Sequence, residues 1–202
     1  MSWRQQYEAR LRIQRRYRTV WRVPISKKLA LVLQQHVPAG ARVLDVGAGH
    51  RKAQSWLPGR RYESVDPDPD GEHEYQDLGD AQGPYDAALL LEVIEHLPLE
   101  EACTTLVRLR GKLAPGGVLV VSTPNTYHPP TYLRDATHIT PFCYDELGGV
   151  LEVAGFEVVT IQRIYNDALW RKLLRRYVFG WLFRLLRLDF ATQVAAVARV
   201  PG

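Results

Sequence analysis

The sequence predicts an α/β fold, a mostly parallel sheet with helices on both faces and a reversed strand at its end. Three observations predict it. Short apolar runs alternate with helical stretches through the middle of the chain, one run ends in closely spaced glycines, and two strand-like runs follow the last crossover.

The elements follow in order. Residues 3–22, "WRQQYEARLRIQRRYRTVWR", read as a basic helix, and "SKKLALVLQQH" (26–36) as a second, with Ser26 as its N-cap. "VPAGA" breaks the pattern. "RVLDVGAG", "RYESVD", "YDAALLLEV" and "GGVLVVSTPN" are then strands, bounded by glycine, proline and aspartate. Helices are expected over 51–57, 98–113 and 143–154. "GFEVVTIQ" and "TQVAAVARV" close the sheet, and between them Trp170, Leu173, Leu174, Tyr177, Trp181, Leu182, Leu185 and Leu186 recur at helical spacing. A helical insertion over 165–190, before the final strand, is the expectation.

A chain of 202 residues that is 46% hydrophobic and 24% charged can bury a full core, and one domain over 1–202 is expected, with residues 1–40 forming basic N-terminal helices. The two cysteines, Cys103 and Cys143, lie far apart without metal spacing, which excludes a disulfide framework and a zinc site. The arginine-rich start lacks the apolar core of a secretory signal. "YVFGWLFRLLRL" is interrupted by Arg184 and Arg187 and is short for a bilayer, so a cytoplasmic protein is expected.

The net charge of +4 is concentrated at the two ends. Arg4, Arg10, Arg12, Arg15, Arg16, Arg18 and Arg22 crowd one, and Arg171, Lys172, Arg175, Arg176, Arg184 and Arg187 the other. Such asymmetry fits contact with nucleic acid, phospholipid headgroups or a phosphorylated substrate, or simply two solvated helix faces. The segment 167–187 fits a lid, a dimer contact, a membrane-peripheral surface or ordinary packing.

The chemistry is concentrated at strand ends. "LDVGAGH" sets Asp45 just before Gly47 and Gly49, where an open sheet binds ligands and glycine allows close backbone approach. The dinucleotide fingerprint needs a third glycine where Lys52 stands, which argues against a nicotinamide or flavin. "SVDPDPD" ends the next strand with Asp66 and Pro67, the carboxylate positioned for a ribose diol.

With "VLDVGAG", "YESVDPDPD", "YQDLGD", "YDAALLLEVIEHLP", "LRGKLAPGGVLVVSTPN" and "YDELGGVLEVAGFEVV" in this order, residues 41–161 resemble the class I S-adenosylmethionine-dependent methyltransferases, in particular the group with an "EHL" segment. The resemblance implies a Rossmann-like seven-stranded sheet and S-adenosylmethionine as cofactor. Gly47 and Gly49 would pass under its methionine part, with Asp45 and Pro67 beside the loops. Asp66 would hold the ribose, Asp77 and Leu78 would flank the adenine, and Leu91 with Glu92 would border the methionyl end. The chain departs from the family where Arg51 replaces a third glycine, after His50.

Methyl transfer needs an in-line nucleophile, exclusion of water and, for a hydroxyl, removal of its proton. If a helix begins near Glu92, then Glu92, Glu95 and His96 share one face at i, i+3 and i+4. His138, with His128 in reserve, would complete a divalent metal site. Metal-assisted O-methyltransferases of ubiquinone biosynthesis, and those acting on the terminal 2'-hydroxyl of small RNAs, carry a similar ExxEH with a later histidine before an aromatic, here Phe142. The alternatives are metal-free work by Glu95, His96 and His138 on the acceptor, or a structural role. The expected activity is O-methylation of a small hydroxylated acceptor, a quinone precursor, a sugar or a lipid-linked intermediate. Its rivals are RNA 2'-O-methylation and a non-catalytic binding subunit. These residues name neither the acceptor nor the oligomeric state.

Overall fold

In the computed structural model, which describes residues 3–165 and 167–202, seven strands form one sheet of order β1-β6-β7-β5-β4-β2-β3. The strands are β1 (Ile25–Ser26), β2 (Arg42–Val46), β3 (Arg61–Val65), β4 (Tyr85–Leu91), β5 (Leu113–Pro124), β6 (Glu157–Ile164) and β7 (Gln193–Arg199). Only β7 runs against its neighbours, paired antiparallel with both β5 and β6. The mixed sheet with a reversed last strand is therefore as expected. Met1, Ser2 and Asn166, which belong to the expected N-terminal region and insertion, lie outside the described residues, as do the side chains of Leu169 and Lys172.

Alternation along each strand sends neighbouring residues to opposite faces. On one face Leu44, Leu90, Leu119 and Val121 pack with α1 (Trp3–Tyr17), α3 (Leu99–Lys112) and α5 (Tyr144–Val153), through Ile13, Leu106, Leu109, Leu147 and Leu151. On the other, Val43, Leu89, Val120 and Val197 meet Leu29, Val32 and Leu33 of α2 (Leu29–His36) and Ala53 of the 3-10 turn Lys52–Trp56. The sheet is thus covered on both faces.

Three local expectations are corrected. Ser26 does not cap a helix. It ends the edge strand β1, parallel to β6, where Tyr165 donates its N–H to the Ser26 carbonyl, and α2 starts only at Leu29. The N-terminal helix stops at Tyr17, because Arg18 takes a positive φ of 62° and the Tyr17 hydroxyl accepts the Ile161 N–H. The insertion is not one helix. It comprises α6 (Leu169–Leu173), a wider π turn over Leu174–Val178, and α7 (Gly180–Leu185), with the short α4 (Pro129–Leu133) lying earlier in the chain.

The N-terminal arginines hold the fold together. Arg10 binds Asp145 and Glu146 at 2.9 and 3.0 Å, Arg12 binds Glu152, and Arg16 donates to the carbonyls of Val158 and Val159 at the bulge in β6. These contacts clamp α1 to α5 and β6, so these three arginines are engaged within the fold and do not form a freely solvated helix face. Among the described residues, no helix is long and apolar enough to cross a membrane.

The carboxyl ends of β2, β3, β4, β5 and β6 all reach one edge of the sheet, where the reversed β7 begins: Gln193 pairs with both Pro124 and Ile164. The site is built at that edge.

Candidate active site

Two loops form the first half of the site. At Gly47 φ is +71°, and an added Cβ would lie 2.4 Å from Val93 Cγ2, so only glycine fits. Gly49 donates its N–H to Asp66 Oδ2 at 2.8 Å, while Asp66 Oδ1 accepts from the Asp68 N–H at 3.1 Å and ties down the turn through Pro67. The loop after β2 and the loop after β3 are thus joined through Asp66. Space beside Gly49 is open, with no atom within 4 Å of an added Cβ.

Arg51, at the departure from the family pattern, takes a left-handed backbone that favours glycine, with φ +53°. Its guanidinium lies 5.4 Å from the centre of the Tyr62 ring, bonds Glu74 at 2.8 Å and also donates to the Glu72 carbonyl. Below it the Tyr62 hydroxyl donates to Asp45. Burial pushes the Asp45 carboxyl up to about 6, against the lowering effect of that bond. Asp45, Gly47, Leu91 and Glu92 line a cleft of roughly 200 Å³. Leu78 is buried, whereas the Asp77 carboxylate is exposed and accepts from Arg108 at 2.9 Å and the Gly79 N–H at 2.6 Å.

The second half is built from "EVIEHL" and the loop 124–140. Glu92 does not open a helix. Its N–H continues the pairing with β5 by donating to the Ser122 carbonyl, and the chain then reverses through φ +55°. The short 3-10 turn spans only Ile94–His96. Glu92 therefore shares no helix face with Glu95 and His96, although it lines the same cleft: its carboxylate accepts the Ser122 hydroxyl at 2.8 Å, and burial raises its pKa.

Glu95 turns inward, 0% exposed, and by strict geometry neither its carboxylate oxygens nor the Thr123 hydroxyl has a hydrogen-bond partner among the described residues, although Thr123 lies close enough to lower the Glu95 pKa. Burial, and then the charge of Glu92, push the Glu95 carboxyl up to about 8. The Glu95 carbonyl accepts the N–H groups of Ile139 and Thr140, which brings the loop carrying His138 onto the turn carrying His96. The two imidazoles meet edge to face, 4.8 Å between centres.

The tautomers follow from the partners. His138 Nδ1 lies 2.8 Å from the Tyr132 carbonyl, a pure acceptor, so Nδ1 carries the proton. The Thr137 hydroxyl donates to Asp135 at 2.7 Å, and so receives the Nδ1–H of His96 at 2.9 Å. In the neutral form, both rings keep the Nε2 lone pair. Glu95, His96 and His138 offer ligand atoms within 4.8 Å of one another, and one unpaired carboxylate with two imidazoles is a fitting donor set for a divalent cation. Glu92 lies outside that cluster, and His128 is turned to the Thr131 hydroxyl instead.

These groups open into a second cleft of roughly 430 Å³, lined also by Arg134, Asp135 and Gln193. Asp135, Thr137, Tyr132 and Gln193 have no periodic signal in the sequence; the Asp-x-Thr spacing of a polar turn is the one trace of the first two. Glu92 and Gln193 line both clefts and form the wall between them.

Comparison with known proteins agrees with this architecture. The family model described as "Methyltransferase domain" matches residues 13–161. Among solved structures, a SAM-dependent methyltransferase from Archaeoglobus fulgidus is 20% identical, with 94% of this chain and 98% of that one covered and a TM-score of 0.65. A 1,6-didemethyltoxoflavin-N1-methyltransferase from Burkholderia thailandensis, solved with its substrate and S-adenosylhomocysteine, is 20% identical over 100% and 92% of the two chains, TM-score 0.61. The N-methyltransferase NodS from Bradyrhizobium japonicum is 16% identical over 86% and 93%, TM-score 0.58. No curated protein matches the sequence significantly.

Proposed function

The chain belongs to the methyltransferase-domain family, and on that premise we propose that it is a single-domain, cytoplasmic enzyme that moves a methyl group from S-adenosylmethionine to the hydroxyl of a small acceptor. The observation that carries this reading is the shared wall: Glu92 and Gln193 separate a glycine-floored cleft from one presenting two imidazole lone pairs. S-adenosylmethionine supplies, when bound, a methyl group already activated by its sulfonium.

The residues divide the remaining work. Gly47 and Gly49 allow the backbone to approach the methionine portion, and Asp66, beside Pro67, has lone pairs left for the ribose hydroxyls after accepting one N–H on each oxygen. Leu78 and Asp77 border the adenine, and Asp45, Leu91 and Glu92 the reacting end. His138 Nε2 would take the proton of the acceptor hydroxyl as its oxygen receives the methyl group, the carbon–sulfur bond breaking to leave S-adenosylhomocysteine; His96 holds the neighbouring position, and Glu95, protonated near neutral pH, donates to the acceptor. Neighbours of the same fold include proteins described as N-methyltransferases, so the choice of oxygen rests on this pair of imidazoles.

The test is His138→Ala assayed with labelled cofactor against phenols, catechols, sugars and amines. A fall in kcat of about 100-fold or more on a hydroxylated acceptor, with cofactor affinity intact, is expected. Unchanged kcat, or turnover confined to amines, overturns the reading.

One observation favours a second version: the unpartnered Glu95 carboxylate beside His96 and His138. A divalent cation there would hold Glu95 ionised and lower the pKa of a bound hydroxyl. Loss of activity in EDTA, restored by magnesium or manganese, distinguishes it from the metal-free version. Nucleic acid is less favoured as acceptor, since Arg10, Arg12 and Arg16 are engaged within the fold.

A further inference from the structure

The sequence of α6, the π turn and α7 serves none of the chemistry above. Ordinary packing would bury its apolar residues, and it does not. Trp170 is 62% exposed, Tyr177 72%, Trp181 66% and Leu185 70%, and Leu173, Leu174, Val178, Phe179 and Leu186 are exposed as well. Nine large apolar side chains open to solvent within 17 residues are far beyond the scattered apolar surface of an ordinary domain.

The charges around them have one sign. Residues 167–187 contain six basic side chains and one acidic, Asp167, and Asp167 is already engaged with Arg171 and Arg175. Arg176, Arg184 and Arg187 have no carboxylate partner among the described residues. Arg176 and Arg184 face Arg22 across a groove of roughly 420 Å³ whose lining includes no carboxylate. Arg163, at its floor, is neutralised by Asp189 at 2.8 Å.

We propose that α6, the π turn and α7 form a docking surface for an anionic lipid bilayer. Trp170, Tyr177, Trp181 and Leu185 enter the interfacial layer, while Arg22, Arg176 and Arg184 take lipid phosphates. Charge complementarity selects this occupant. Aromatic residues with interleaved arginines suit the boundary between headgroups and acyl chains. A second copy of the chain, joined about a twofold axis, would bring this cationic patch against itself. A nucleic acid would use the arginines but leave the apolar side chains in water.

Topology ties the surface to the site. The insertion leaves the sheet after Ile164 and returns at Gln193, both at the edge where the clefts open, and Thr192 and Gln193 line the acceptor cleft. A docked bilayer therefore lies at the edge of the sheet that receives the acceptor.

Flotation of the full chain with extruded vesicles, of phosphatidylcholine alone or mixed with phosphatidylserine, tests the proposal. The protein is expected to float with the anionic vesicles, weakly with the neutral ones, and less as salt rises. The double variants Trp170→Ser/Trp181→Ser and Arg176→Glu/Arg184→Glu should each reduce anionic-vesicle binding by on the order of tenfold or more, with circular dichroism and cofactor binding unchanged. Parental protein that stays at the bottom of the gradient, or variants that float as well as the parent, overturns it. So does a dimer that the tryptophan variant dissolves, or single-stranded RNA that displaces the protein from vesicles. Should a variant misfold, lipids brominated in the acyl chain decide on the parent alone: quenched tryptophan fluorescence supports the docking surface, and unquenched fluorescence refutes it.

Discussion

The two halves of the active site satisfy their polar groups to opposite degrees. On the cofactor side every carboxylate in the cradle has an internal partner: Asp45 has Tyr62, Asp66 has the backbone of Gly49 and Asp68, Glu74 has Arg51 and Ser64, and Glu63 has Arg42, Tyr75 and Tyr85. On the acceptor side Glu95 and Thr123 are buried with no hydrogen bond of full geometry among the described residues, and the two imidazoles are anchored through Nδ1, with Asp135 Oδ2 lying 3.8 Å from His138 Nε2. Buried polar groups are nearly always paired, so two such groups side by side beside one cleft point to something else that binds there. On the proposed reading, the cradle is set before the cofactor arrives, and the second cleft is completed by the acceptor.

This contrast is open to being broken. The largest effect is expected at Gly47. Alanine there meets Val93 at a positive φ, so a loss of cofactor affinity on the order of 100-fold in calorimetry is expected, with about 1–2 kcal/mol of stability. If Gly47→Ala binds cofactor normally, the cradle is not rigid.

A smaller effect belongs to Glu95. Its carboxyl sits at about 8 in the folded chain against an ordinary value of 4.5, so the native state keeps a proton that the unfolded state releases. Stability is therefore expected to fall as pH rises from about 4.5 to about 8, and to level off above. Glu95→Gln should flatten that slope and raise stability at pH 8 by roughly 1–3 kcal/mol, as read from denaturant midpoints. A variant as pH-dependent as the parent would show that Glu95 is not strained by its burial.

The smallest effect is expected at Arg51. Replacing it with glycine restores the backbone freedom of the missing family residue but removes the bridge to Glu74, which is over a third exposed. A cost of about 0.5–1 kcal/mol and a change in cofactor affinity of no more than about fivefold are expected, from thermal melts and calorimetry. A collapse of binding would instead make Arg51 a direct contact.

Legibility in the sequence followed the range of the forces involved. The six apolar runs were readable because strand burial is written locally, in alternation and in flanking glycine. The edge strand at Ile25–Ser26 was not, since its pairing depends on β6, some 140 residues away, and nothing in "ISKK" announces it. The handedness of Glu92 was hidden for a similar reason: the Ser122 carbonyl sets it from another strand. Glu95, His96 and His138 could be singled out as chemical types, and the structure does bring them together. Their orientation could not be read, because it comes from Thr137, Asp135 and the Tyr132 carbonyl in a polar loop without periodicity. The arginines of α1 misled for the opposite reason. Formal charge counts a guanidinium whether or not a carboxylate on α5 already answers it.

The fully buried Asp189 accepts from Arg163 and from the Asn125 side chain, and Arg163 in turn donates to the carbonyls of Trp21 and Val23. This knot sits at the end of the insertion, just after α7, between β5, β6 and the N-terminal segment. It means that the segment leading into the last strand is pinned to the body of the protein independently of α6 and α7. A cut anywhere among the exposed arginines of α6 and α7 would leave β7 seated between its two neighbours.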